Sequence, residues 1–157
     1  MEIPELRKLF LKAEESPRKR HAWSPKEASY SGCRYMLNAL IPNTYIQPHR
    51  HMTEGANELW FVLQGMITPI IFSENGELKN AYTISTQDKI PFIEIPEKTF
   101  HTLLVRGSPS VILEVSRGPY IPETYKEFAS WAPSEGSENS QKYLADLERR
   151  ALQFPIF

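Results

Sequence analysis

The sequence holds one cysteine, seven glycines and four histidines in 157 residues, and its formal charge is only −1. Cys33 stands alone and cannot close an internal disulfide, which fits a reducing cytoplasm as the expected compartment. With 18 basic residues against 19 acidic ones there is no field to hold a polyanion, so nucleic acid is not an expected partner. Long apolar runs are missing as well. Stretches such as Leu59 to Leu63 and Ile67 to Phe72 fall far short of the roughly 20 residues that cross a bilayer, so no membrane partner is expected. The start, Met1-Glu2-Ile3-Pro4-Glu5-Leu6-Arg7, turns acidic at once and does not read as a secretory signal.

What is present supports one folded domain. Apolar residues make up 41% of the chain and charged residues 24%, enough for a real core. Thirteen prolines are spread along it and punctuate short strands. Pro4 to Glu15 reads as a short amphipathic helix ended by Ser16-Pro17, and Ser140 to Leu152 as a second, with Tyr143, Leu144, Leu147 and Ala151 at helical spacing. Between them, strands are expected over Arg34 to Leu40, Thr44 to His51, Glu58 to Leu63, Ile67 to Phe72, Ala81 to Ser85, Phe92 to Ile95, Phe100 to Arg106 and Val111 to Ser116. The expected fold is mainly β, a single jelly-roll or cupin antiparallel β-barrel with short terminal helices. Residues 1–20 would form the N-terminal helix and basic segment, 21–120 the barrel, and 121–157 a C-terminal segment and helix packed on it.

Three of the histidines fall in strand patterns. In an extended strand residues i and i+2 share a face, so Pro48-His49-Arg50-His51 aims two imidazoles one way and Arg50 the other. Glu58 opens the next strand, and a carboxylate there completes a two-His-one-carboxylate set that leaves metal positions open. His101 supplies a third imidazole from a neighbouring strand. Each histidine taken singly is better explained by a surface pair or a hydrogen-bonded core residue; the combination points to a metal. If His49 and His51 face inward, parity adds Tyr45 and Gln47 to the same face, and the Glu58 strand adds Trp60. Tyr45 is the candidate catalytic hydroxyl, and Gln47 and Trp60 are candidate substrate contacts. Trp60 fits plain core packing equally well. Arg18-Lys19-Arg20-His21 is the one basic cluster; Arg18 and Arg20 are candidate contacts for a phosphate or carboxylate, against the commoner role of a solvated surface run. Cys33 is expected to be a small buried hydrophobe.

Pro48 to His51 followed by Glu58, six residues ahead of Gly65, resembles the first cupin motif, and Pro96 to His101 the second. More narrowly, the chain resembles the WbuC family of cupin-fold metalloproteins. The likeness is carried by Ser16 to Arg20, Leu37 to Tyr45, Pro48 to His51, Glu94 to His101, Leu113 to Tyr120 and Lys126 to Pro133, and it brings in Lys126 as a further candidate substrate contact. There are departures. General cupins place the motif Glu three or four residues after the second His; here Glu54 is three on and Glu58 seven, and Glu58 is chosen because it heads an apolar strand. Lys98 stands where cupins often have Gly, and Val105 where many have Asn.

The resemblance implies one divalent metal ion, iron, manganese, nickel or zinc, held by His49, His51, Glu58 and His101. It also implies a sugar or nucleotide-sugar substrate in bacterial O-antigen or other surface polysaccharide biosynthesis, and a homodimer by analogy. The reaction stays open between isomerisation, epimerisation and iron-dependent dioxygenation. A non-catalytic small-ligand-binding or sensor cupin, and a metal-free sugar-binding barrel, stay open beside it.

Overall fold

The computed structural model describes residues 5–25, 32–117 and 126–154. Pro4 and the Gly118-Pro119-Tyr120 segment of the family resemblance lie outside the described residues. Helix α1 spans Leu6–Glu15. The strands are β1 (Arg20–Trp23), β2 (Cys33–Leu40), β3 (His49–His51), β4 (Glu58–Gln64), β5 (Met66–Phe72), β6 (Leu78–Ala81), β7 (Ile84–Ser85), β8 (Phe92–Ile95), β9 (His101–Leu104), β10 (Ser110–Arg117) and β11 (Lys126–Phe128), and α2 covers Ser140–Ala151. Among the described residues, no helix is long and apolar enough to cross a membrane.

The mainly β, antiparallel expectation is met, with one difference. The strands form a five-stranded sheet in the order β1-β2-β10-β4-β8 and a six-stranded one that runs β11-β3-β9-β5-β6 with β7 on β5. Among the described residues no ladder joins the two sheets into a closed barrel. Pro91 and Pro96 bracket the edge strand β8, and proline cannot donate to a further ladder. Pro69 is tolerated inside β5 because it falls between two partners: β7 pairs Met66 and Ile67, and β6 pairs Ile70 to Phe72.

Strand parity sorts the apolar residues into three layers. One face of β2 and β10 turns outward with Leu37, Ala39 and Val111, and Leu9 and Ala13, one helical turn apart on α1, cover it. The outer face of the second sheet, with Ile70, Phe72 and Leu104, is covered by Leu144, Leu147 and Ala151 of α2. Between the sheets lie Leu40, Trp60, Val62, Ile67, Ile93, Ile95, Leu103, Val105 and Ile112. These residues share the interlayer with the polar groups described below.

The two termini add strands that the sequence did not suggest. Arg20–Trp23 pairs with β2, and Lys126–Phe128 pairs with β3, setting Lys126 opposite His51 and Phe128 opposite His49. Conversely, residues 44–48 carry no ladder, so the expected Thr44 to His51 strand shrinks to its last three residues. Cys33 is exposed at the start of β2, not buried.

Gly65 joins β4 to β5 at φ 76°, and a Cβ there would meet Ser110 Oγ at 2.4 Å and the Pro109 carbonyl at 2.8 Å. Ser110 Oγ in turn donates to Met66 O at 2.8 Å and accepts from Met66 N at 3.1 Å. Left-handed strain and overlap with backbone add, so Gly65→Ala is expected to cost about 2–4 kcal/mol in chemical denaturation.

Candidate metal centre

Antiparallel pairing of β3 with β9 places His49 directly opposite His101. His49 and His51 are both buried and Arg50 points the other way, where it pairs with Glu74 and Glu127 and stacks 4.4 Å above the Phe100 ring. One ring nitrogen from each of His49, His51 and His101 falls within 4.8 Å of the others, so the three could hold a metal ion. Across the gap β4 brings up Glu58: Oε1 lies 3.0 Å from His51 Nε2 and Oε2 lies 3.4 Å from His101 Nε2. Two ligands at right angles, each about 2.1 Å from one ion, stand about 3.0 Å apart, so this spacing suits a shared metal. Glu54 is exposed, and its carbonyl accepts from Arg117.

The protonation pattern also suits a cation. His49 Nδ1 is 2.9 Å from Gln47 O and His101 Nδ1 is 2.8 Å from Thr99 O. A carbonyl can only accept, so each Nδ1 carries a proton and Nε2 is the nitrogen left for the site. Burial holds His49 well below its usual value, with Lys126 adding to the effect, and burial lowers His51 as well. Burial alone would raise the Glu58 carboxyl, but hydrogen bonding and positive charge from the facing His101 and His51 rings outweigh it and hold the group well below the usual carboxylate range. His101 Nε2 is buried without a well-aligned hydrogen bond. Three imidazole nitrogens converging on a buried carboxylate are the donor set of a divalent cation. The residues present therefore fit the metal that the sequence motifs imply.

Of these groups, His49 and Glu58 line a cavity of about 560 Å³. Arg18, Arg20, Gln47, Trp60 and Lys126, all named from sequence, line it. Trp60 donates from Nε1 to Glu58 Oε2 at 3.2 Å while its ring packs in the interlayer core. Tyr45 is not brought into the cavity. With residues 44–48 out of the ladder, strand parity does not reach it; its hydroxyl donates to Pro133 O at 2.7 Å and its ring packs under α2 against Tyr143.

Asn38 and Glu135 line the cavity without having been singled out from sequence, whereas the sequence leaves Glu114 open between an acid behind the metal ligands and a strand residue facing solvent. Asn38 donates to Glu114 Oε1 at 2.9 Å, and both are buried on the inner face of the first sheet. Their period-2 placement in β2 and β10 was the available signal. Glu135 reaches the mouth from the loop before α2, where Arg18 and Arg20 hold its carboxylate. Lys126 proves closer to the chemistry than a rim contact: its Nζ lies 3.0 Å from His49 Nε2.

Burial, with the charge of Glu58 behind it, pushes the Glu114 carboxyl up to about 7 although Asn38 favours its ionised form. The folded protein thus binds this proton more tightly than the unfolded chain, and ionisation costs stability as pH rises from the ordinary carboxylate range through about 7. Glu114→Gln is expected to raise the Tm of chelator-treated protein by roughly 2–6 °C at pH 8.5 and by little at pH 5, read by thermal melts. The Lys126 ammonium occupies the lone pair that His49 would give a metal and repels the ion. Lys126→Met should therefore bind divalent metal about tenfold tighter, about 1.4 kcal/mol by calorimetry.

Comparison with solved structures places the architecture. The chain is similar to the capsular polysaccharide assembling protein CapF from Staphylococcus aureus, with 21% identity over 60% of this chain and 26% of that one, at a TM-score of 0.52. It is similar to oxalate decarboxylase from Bacillus subtilis, with 15% identity over 69% of this chain and 27% of that one, at 0.54. A recombinant oxalate oxidase in complex with glycolate matches over 88% of this chain and 75% of that one, with 13% identity, at 0.58. The chain thus spans about a quarter of the length of CapF and of the decarboxylase. These likenesses show the fold, which is a cupin. No curated protein matches the chain. Residues 2–84 match a family described only as a domain of unknown function, and on that match, over half its length, the chain belongs to family DUF6016.

Proposed function

We propose that this cupin binds one divalent metal ion through His49, His51, Glu58 and His101 and acts on a sugar or nucleotide-sugar in surface polysaccharide biosynthesis. The observation that carries the metal is the buried, ionised Glu58, 3.0 Å from His51 and 3.4 Å from His101, with the Lys126 ammonium beside His49 in the same cluster. A metal held there would supply Lewis acidity or a redox couple. The Bacillus subtilis oxalate decarboxylase has Mn(II) centres, and manganese is among the ions this donor set suits.

The substrate class is supported by the WbuC-like segments of the sequence and by the cavity wall. Arg18, Arg20 and Lys126 offer charged donors, and Gln47 offers its amide, which also reaches Ala129 O at 3.3 Å. Trp60 offers an aromatic edge against which a sugar ring can lie. The reading gives Tyr45 no part, because its hydroxyl is already spent on Pro133 O.

A second reading, a small-ligand-binding cupin without metal, is favoured by one contact. Lys126 Nζ on His49 Nε2 already places a cation among the histidines. Elemental analysis of protein purified without chelator separates the two. About one equivalent of metal is expected in the parent chain, and little in His49→Ala or His101→Ala at unchanged secondary structure. Stoichiometric metal retained in both variants would sink the ligand assignment, and none in the parent, even after incubation with manganese, iron or zinc, would favour the metal-free reading.

A further inference from the structure

Arg20 is a buried cation with a prepared partner. Its side chain is 8% exposed. Nη1 donates to Tyr45 O at 2.9 Å, with Thr44 Oγ1 and Arg18 O each at 3.4 Å, and Thr44 Oγ1 itself donates to Arg18 O at 2.8 Å. The guanidinium is therefore fixed through one nitrogen, and Nη2 is left to face an anion across the cavity mouth. That anion is Glu135. Arg20 Nη2 takes its Oε1, Arg18 Nε takes Oε2 at 3.0 Å, and the Gln47 backbone N–H points at Oε1 from 3.4 Å. Each carboxylate oxygen has its own guanidinium, which is the donor arrangement that a carboxylate or phosphate ligand requires.

All four residues line the same cavity as His49, Glu58 and Lys126, so the clasp lies over the candidate metal centre. Glu135 comes from a loop without ladder bonds between β11 and α2. Gly136 follows it at φ 76° with open space where a Cβ would stand, while Tyr45 ties the loop at Pro133. With Arg18 more than half exposed and Glu135 a quarter exposed, the pair is partly solvated, and such pairs hold weakly. A purely structural clasp has no need of a pre-set arginine facing a ligand-sized cavity.

We propose that Glu135 is a tethered stand-in for the anionic group of the cavity's ligand, and that a ligand carboxylate or phosphate displaces it from Arg18 and Arg20. The proposal rests on reading Arg18 and Arg20 as ligand contacts, and is independent of the metal.

The test titrates inorganic phosphate into the chelator-treated full chain by calorimetry. Glu135→Gln is expected to bind phosphate at least tenfold tighter than the parent, and Arg20→Met in that background to lose the gain. Hydrogen exchange supplies a readout in the unaltered chain: saturating phosphate is expected to speed amide exchange at residues 134–138 and leave β2 and β10 unchanged. Equal affinity of Glu135→Gln and the parent, or a gain that survives Arg20→Met, overturns the proposal. So does unchanged exchange at 134–138, which decides the matter if Glu135→Gln does not fold. Metal content measured on the same preparations keeps the two readings apart, because loss of the metal assignment leaves these phosphate results as they stand.

Discussion

A carboxylate buried between two sheets is the constraint around which this molecule is arranged. Glu58 comes from one sheet and His49, His51 and His101 from the other, so their meeting requires both sheets to hold a fixed separation. Isolated, such a charge would cost several kcal/mol in an apolar interior, and the neighbouring aliphatic layer gives it no relief. Hydrogen bonding from the facing His51 and His101 rings and from Trp60 Nε1 supplies part of the compensation. The remainder is a demand for positive charge, which Lys126 meets in part from an edge strand and a divalent ion would meet more fully.

The two helices serve this arrangement from outside. Each sheet has an outward apolar face that must be covered, and α1 and α2 do so with short stripes of Leu and Ala. Because the outer faces are sealed by helices, the interlayer can hold both packed aliphatic side chains and a polar cavity. Ile93 and Ile95 face inward from β8 directly beside Trp60 and Glu58, and Asn38 and Glu114 face inward from β2 and β10. One inner surface thus provides both cohesion and a cavity.

How much of this was legible in sequence follows from which rules are rigid. The histidine pair and Glu58 were legible because strand alternation has a period of two and their strands are regular. Both helices were found within two residues, since amphipathic spacing and Pro17 mark them. Tyr45 was misplaced because alternation was extended across Pro48 into a stretch that makes no ladder. β1 and β11 escaped notice because edge strands of three or four residues, such as Lys126-Glu127-Phe128, need no apolar alternation. The Glu135 clasp spans more than a hundred residues of chain, and no local pattern announces a contact made only by the fold. Lys98 is an instructive departure: it adopts φ 59°, the left-handed conformation for which related motifs use glycine, and its amide donates to His51 O at 2.9 Å.

The outward side of β3 carries a consequence of its own. Arg50 lies between the two histidines in sequence and is gripped by two carboxylates and the face of Phe100, while the strand's edges are taken by β9 and β11. Three residues fastened above, below and on both flanks have no slack with which to follow an incoming ion. The imidazoles are set at their spacing before anything binds, so, on the proposed metal reading, ions whose preferred geometry differs from that spacing would be penalised from the start. Selectivity among metals would then be written on the outer surface of the strand as much as on the inner one.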